Sequence, residues 1–300
     1  MNQENKEVAA LCFTHGRYTC LQRSIRMFLD QDYEGNSLMF IANSGTPLFG
    51  WEGGYVIFDV SKQESKESEE CLFLTEIERQ YQDGHLVSKS KPKEYPNKRI
   101  VIWNMPENCY SSVGEKYNLA LNYMLTQMSN NWRDKIDIVT SWDDDDIFLP
   151  NHLSSGVLGM EKARAKDCLA YKPRKSYYRY RDGEEVKVSL VENTLEPSIF
   201  VDVNYLKDTG YANVSIKYHQ QWLDPLIAQN KIFVDNSGTP TLVYNWGDNL
   251  PIYKMSGRGI DNQMNFELHK KNQLDFGTSV IKPIPSAQVY YDEVKTLANS

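Results

Sequence analysis

Four consecutive aspartates, Asp143 to Asp146, form the most chemically pointed stretch of the sequence. Before them, Asp137 to Trp142 reads as a buried strand. After Ile147-Phe148-Leu149-Pro150 comes a helix carrying Leu153, Val157 and Met160 on one face. Adjacent carboxylates repel one another, and the carboxyl end of a strand in an open α/β sheet is where ligands bind. A hard divalent cation, Mn²⁺ or Mg²⁺, would offset that repulsion and hold a diphosphate at the same time. The plainer use is a solvated acidic cap on the following helix. A cap, however, needs one or two Asp rather than four.

A second concentration runs from Tyr171 through Lys172, Pro173, Arg174, Lys175, Ser176, Tyr177, Tyr178, Arg179 and Tyr180 to Arg181. Its cationic side chains could grip phosphates while tyrosines stack on sugars or bases. The same run also fits a hairpin edge on which Lys and Arg block strand-to-strand aggregation. The common catalytic signatures GxxxxGK[ST], GxGxxG, HExxH and GxSxG do not occur.

Short apolar runs alternating with helix-period segments must position these groups, a pattern of βαβ units and a largely parallel sheet. Val8–Phe13, Leu38–Ala42 and Arg99–Met105 read as strands. Leu21, Ile25, Phe28 and Leu29 form one helix face behind Thr19 as N-cap, and Tyr117, Leu121, Met124 and Met128 form another. Residues 61–70 are nearly all polar or charged, so they read as an exposed excursion between Tyr55–Val60 and a helix-like Cys71–Gln82. Tyr177–Arg181 and Glu185–Leu190 flank an Asp182-Gly183 turn and read as a β-hairpin. From residue 251 to 300 periodicity is weak, as in a C-terminal extension.

The chain has 300 residues, 41% of them hydrophobic, so a sizeable core is expected and disorder is not. Its net charge of −7 argues against a broadly basic nucleic-acid coat. Five widely spaced cysteines, none in a CxxC arrangement, suggest reduced thiols. With neither a signal-peptide pattern nor a membrane-length apolar run, the expected location is cytoplasmic.

Read in order, the strand ending at Thr14-x-x-Arg17, the amphipathic helix, Asp30-Gln31-Asp32-Tyr33 and a strand ending at Asn43-Ser44-Gly45-Thr46 resemble the nucleotide-binding start of a known family. It is the large glycosyltransferase family with the GT-A fold that includes cellulose, chitin and hyaluronan synthases. Gly114 to Leu121 resembles its basic helix, and Asp143-Asp144-Asp145-Asp146-Ile-Phe-Leu-Pro resembles its DxD motif with the usual tail. The resemblance covers about residues 7–247. It implies an α/β fold with a mostly parallel central sheet, helices on both faces and a mixed β second half. The implied organisation is a domain over 1–250, with a nucleotide-binding half about 7–150, an acceptor half about 151–250 and an exposed insertion about 50–95, then an extension over 251–300.

The resemblance also implies a nucleotide-sugar donor, usually a UDP-sugar. Thr14 and Arg17 match the loop against the nucleotide. Asn43 stands where many members have an Asp that accepts a hydrogen bond from uracil, a role an amide oxygen can also fill. Lys116 and Asn118 match the helix beside the diphosphate, with Tyr117 in the usual Arg position. Asp143 and Asp145 match the metal-binding pair, and Asp144 between them matches a ribose contact. Inverting members place a carboxylate base at the start of a late helix, where this chain has His219; Asp224, one turn later, is the competitor, and a retaining mechanism follows if neither serves. The segment after DxD lines the acceptor side, which assigns Arg174, Lys175 and Arg179 to the acceptor. That acceptor is a saccharide or lipid-linked glycan, or else hydroxymethylated DNA. A non-catalytic sugar-nucleotide-binding module is the remaining alternative.

Overall fold

The computed structural model describes residues 7–15, 18–44, 55–64, 70–80, 86–88, 97–106, 109–126, 136–182, 185–192, 196–215, 217–245 and 279–280. In chain order the elements are β1 (Glu7–Thr14), α1 (Tyr18–Leu29), β2 (Ser37–Asn43), β3 (Tyr55–Glu64), β4 (Glu70–Gln80), β5 (Leu86–Ser88) and β6 (Lys98–Asn104). Next come α2 (Val113–Thr126), β7 (Ile136–Asp143), β8 (Ile147–Phe148), α3 (His152–Arg164), β9 (Ala170–Pro173), β10 (Lys175–Asp182) and β11 (Glu185–Glu192). A short 3₁₀ turn (Glu196–Ser198) leads to β12 (Phe200–Asp202), α4 (Val203–Thr209), α5 (Gln220–Ala228), β13 (Ile232–Asp235), β14 (Leu242–Asn245) and β15 (Ser279–Val280). The chain forms two compact units, each assembled from separate stretches.

The first unit takes Met1–Gly16, Tyr33–Trp142 and Phe200–Lys231. Its sheet runs β12-β7-β1-β2-β6-β3-β4-β5. The centre is parallel, β1 with β2 and β2 with β6, as the alternating pattern predicts. Every residue of β1 and β2 is buried, which accounts for their near-continuous apolar runs. Phe13 stacks on Tyr117 of α2 at 3.8 Å, and Trp103 stacks on Tyr123 of the same helix at 4.2 Å, so α2 is fastened over the parallel strands by aromatic pairs. The helix starts where Ser112 Oγ accepts from Glu115 N (3.1 Å), while the Glu115 carboxylate accepts from Ser111 N and Oγ. This reciprocal capping satisfies first-turn amides and holds the Glu115 carboxyl below its usual range.

Two expectations in this unit are corrected. The expected helix over Cys71–Gln82 is a strand as far as Gln80, the last of these residues described: β4 pairs antiparallel with β3 along its length, with an irregularity between Ile57 and Phe58. Residues 61–64 and 70 of the charged stretch therefore lie in the two arms of a hairpin whose paired backbone overrides local helical preference, and 65–69 lie outside the described residues. β3 also pairs antiparallel with β6, so the proposed excursion extends the central sheet.

The second unit takes Arg17–Asp32, Asp143–Ile199 and Ile232–Ser300. It contains the parallel pair β13 and β9 beneath α3, and a five-stranded sheet ordered β15-β11-β10-β14-β8. β10 and β11 form the predicted hairpin, β14 adds parallel to β10, and β8 adds antiparallel to β14. α1 begins at Tyr18, so Thr19 lies inside its first turn rather than capping it. A second correction concerns the aspartates. The expected direct passage from strand to helix is interrupted by a turn and by β8, and α3 starts only at His152.

Candidate functional site

The acidic turn belongs to the second unit. Asp143 is the last residue of β7, and Asp146 N donates to Asp143 O at 3.4 Å, closing the turn. Asp144 and Asp146 are buried at 0% and 1% exposure, whereas Asp143 and Asp145 are half-buried. This alternation leaves Asp143 and Asp145 as the pair with access to a ligand. Burial raises the Asp143 carboxyl well above the usual carboxylate range, and the charges of Asp146, Asp145, Glu196 and Asp144 raise it further. Glu196, from the 3₁₀ turn, is a contributor the sequence did not point to; a lone Glu fifty residues on carries no local signal.

These aspartates do not cap α3. Its N-cap is Asn151, which makes no side-chain cap hydrogen bond. Instead the passage from β8 into α3 is held by Gln31. Gln31, 3% exposed, donates from Nε2 to Met27 O (3.0 Å) and Leu149 O (2.8 Å), while its Oε1 accepts from Leu153 N (2.9 Å). Leu149 N in turn donates to Thr241 O at 2.9 Å. Sequence reading included Gln31 in the resemblance without giving it a task.

Among the described residues no three His, Cys, Asp or Glu side chains converge on one point as a closed metal cage. Asp143 and Asp145 nevertheless fit a hard cation. Mg²⁺ and similar ions are commonly held by one or two carboxylates plus water and substrate phosphates rather than by an all-protein cage. A cation there would also offset the mutual repulsion of the crowded carboxylates.

In the first unit, Thr14, Asn43 and Asn104 stand in register at the carboxyl ends of β1, β2 and β6. Asn43, 1% exposed, donates from Nδ2 to Asn104 Oδ1 at 2.9 Å, which fixes the amide's orientation. Thr14 is 2% exposed, and its Oγ1 has no hydrogen-bond partner among the described residues. Just beyond this row Ser44 N donates to Thr14 O (3.1 Å), and Lys116 Nζ donates to Ser44 Oγ (2.7 Å). The ammonium also lies 5.3 Å from the Phe13 ring centroid and 5.8 Å from that of Tyr110. His15, exposed, sets Nδ1 3.1 Å from Ser44 O, a contact that requires the proton on Nδ1. The sequence reading passed over His15 although it follows Thr14 directly. Arg17 lies outside the described residues.

Asn118 faces elsewhere. Its Nδ2 donates to Tyr211 O at 2.7 Å and Oδ1 accepts from Tyr211 N at 2.7 Å, so both ends of the amide are engaged by one backbone unit. His219 is half-buried at the N-terminal boundary of α5, with its ring edge-on to Tyr218. Asp224 is exposed on the outer side of that helix, while Trp222 is buried and its carbonyl accepts from Tyr205 Oη at 2.8 Å. Of the two candidate bases, His219 has the more enclosed position.

The basic and aromatic run does not form one surface. Tyr171 to Pro173 lie in β9, and Lys175 onward in β10 of the other sheet. β10 is flanked by β11 and β14, so it is no edge strand. Tyr178 and Arg179 are buried at 0% and 2% exposure, which corrects the assignment of Arg179 to an acceptor-facing surface. Arg174 is exposed and paired with Glu192 at 3.2 Å, with Asn236 Oδ1 at 3.3 Å. Lys175 is half-buried, and burial lowers the pKa of Lys172. The side chains of Tyr180 and Arg181 lie outside the described set.

No family model matches the chain, and no curated protein matches it. Among solved structures, it is similar to the crystal structure of S. aureus TarS 1–349 with UDP-GlcNAc, at 11% identity and a TM-score of 0.49, over 98% of this chain and 71% of that one. The TarS 1–349 crystal structure without ligand gives 11% identity and a TM-score of 0.44 over 80% of this chain. The UDP complex gives 12% and 0.44 over the same share. In those two alignments the chain spans 60% of the TarS 1–349 length. Likeness of this size leaves the function to be argued from the chain's own residues.

Proposed function

We propose that this chain is a metal-dependent, inverting glycosyltransferase of GT-A fold that moves a sugar from a UDP-sugar to an acceptor hydroxyl. The observation that carries the reading is the turn after β7, where two carboxylates are buried and Asp143 and Asp145 alternate outward. That arrangement supports cation binding over helix capping. Asp143 and Asp145 would hold Mn²⁺ or Mg²⁺, whereas Asp144, at 0% exposure, is too enclosed for the ribose contact expected of it. When bound, the cation supplies positive charge that stabilises the departing nucleoside diphosphate. In the first unit, Lys116 is the cation that the resemblance assigns to a phosphate contact. Thr14 Oγ1 and the oriented amide of Asn43 offer polar contacts to the nucleoside. His219 takes the proton from the acceptor hydroxyl as the new glycosidic bond forms, in its neutral state as general base.

Arg174 and Lys175 remain for the acceptor, and with Arg179 buried no continuous basic face among the described residues favours DNA over a saccharide. Calorimetric titration with UDP and UDP-GlcNAc, each with and without Mn²⁺, tests the reading. Binding that requires the metal supports it. Absence of metal-dependent binding by any nucleoside diphosphate or its sugar derivatives would sink it.

A further inference from the structure

We infer that Asn118 and Gly114 of α2 are positioning residues that hold the loop before α5 and thereby place His219 for proton transfer. This rests on the assignment of His219 as the base. The resemblance gives Asn118 to the diphosphate, but both its polar atoms are engaged by Tyr211, and its Nδ2 also lies 3.3 Å from Asn213 Oδ1. One turn earlier, Gly114 N donates to Val214 O at 3.0 Å. A Cβ on Gly114 would stand 1.7 Å from Ala212 O, so the loop backbone lies directly on the helix there. Ala212 N then donates to Tyr218 O at 2.9 Å, closing the loop next to His219.

Side chains reinforce the clasp. Tyr117, between the two positioning residues, packs its ring 4.8 Å from Tyr211 and 4.6 Å from Tyr218, and its Oη accepts from Tyr218 Oη at 3.2 Å. At Gly210 the backbone takes φ 62°, and a Cβ would meet Asn118 Oδ1 at 2.9 Å, so the turn into the loop is shaped around that amide. One face of α2 thus grips the loop through Gly114, Tyr117 and Asn118. Lys116 of the same helix reaches Ser44 at the end of β2. The helix is a common strut for a donor-side contact and for the base.

Two readouts test this. In amide hydrogen exchange, Asn118→Ala and Gly114→Ala should each lose protection in residues 211–219 while β1 and β2 keep theirs. In kinetics with UDP-GlcNAc, Mn²⁺ and water as acceptor, Asn118→Ala should lower kcat by about 10- to 100-fold, the scale of a misplaced catalytic group. Its affinity for UDP should stay within about twofold of the parent. In a His219→Ala background the Asn118 substitution should cost nothing further, because it acts through that residue. Weaker UDP binding with kcat unchanged would make Asn118 a donor ligand and overturn the inference, as would losses that multiply with His219→Ala. Unchanged exchange in Asn118→Ala overturns it alone. Full activity of His219→Ala overturns the base assignment beneath it.

Discussion

At the scale of single residues, the aspartate run contains two kinds of carboxylate. Asp144 and Asp146 are sealed inside, so replacing them disturbs the turn itself, whereas Asp143 and Asp145 can change without opening a core. Asp145→Ala and Asp143→Ala are therefore expected to stay folded, with melting temperature near the parent's, yet to lose Mn²⁺-dependent UDP binding in calorimetry. Loss of metal-independent binding as well would point to collapse of the turn. For His219→Ala the expected signature is different: kcat falls while UDP affinity holds, because a base contributes in the transition state and not in donor binding. Should Asp224→Ala be the inactive variant instead, the exposed carboxylate is the base.

Elements explain what the sequence could and could not disclose. β1, β2, β6 and β7 were legible because burial on both faces demands continuous apolar runs, and α2 because Tyr117, Leu121 and Met124 recur at helical spacing. β4 was not legible: its strand state depends on pairing with β3, and its short apolar stretch satisfies either period. Arg179 misled for a related reason. Whether β10 is an edge or an interior strand is decided by β14, sixty residues later, and its neighbours alone make it look solvent-facing. Asn118 is the counterpart at the site, since its partner Tyr211 lies 93 positions away. The α3–β9 contact offers a test at this scale. A Cβ on Gly159 would come within 2.4 Å of the buried Tyr171 ring. Gly159→Ala should destabilise the protein by about 1–3 kcal/mol in denaturant titration, the usual cost of overpacking a core. An unchanged midpoint would show that the ring can yield.

For the molecule as a whole, acid stability should be governed in part by His152. It is fully buried, edge-on to Phe148 at 4.9 Å and 2.9 Å from Thr241 Oγ1, and burial pulls its pKa down to about 3. The unfolded chain binds this proton near pH 6.5. The stabilising contribution is therefore complete above that value and declines as pH falls towards 3, by up to about 1.4 kcal/mol per unit. Thermal melts between pH 7 and 4 should show this slope, and His152→Gln should flatten it; identical slopes would assign acid lability to other groups. The two units have a further consequence, for biosynthesis. Each is stitched from separated stretches, so a cut near residue 150 divides both. β12, the antiparallel partner of β7, emerges only after residue 200, and the strand pair under α3 is completed by β13 at Asp235. A nascent chain therefore cannot finish its first unit before starting its second. A 1–150 fragment should lack a cooperative melt, and on the ribosome neither unit can close until well past residue 200, leaving the long apolar strands to be shielded in the meantime.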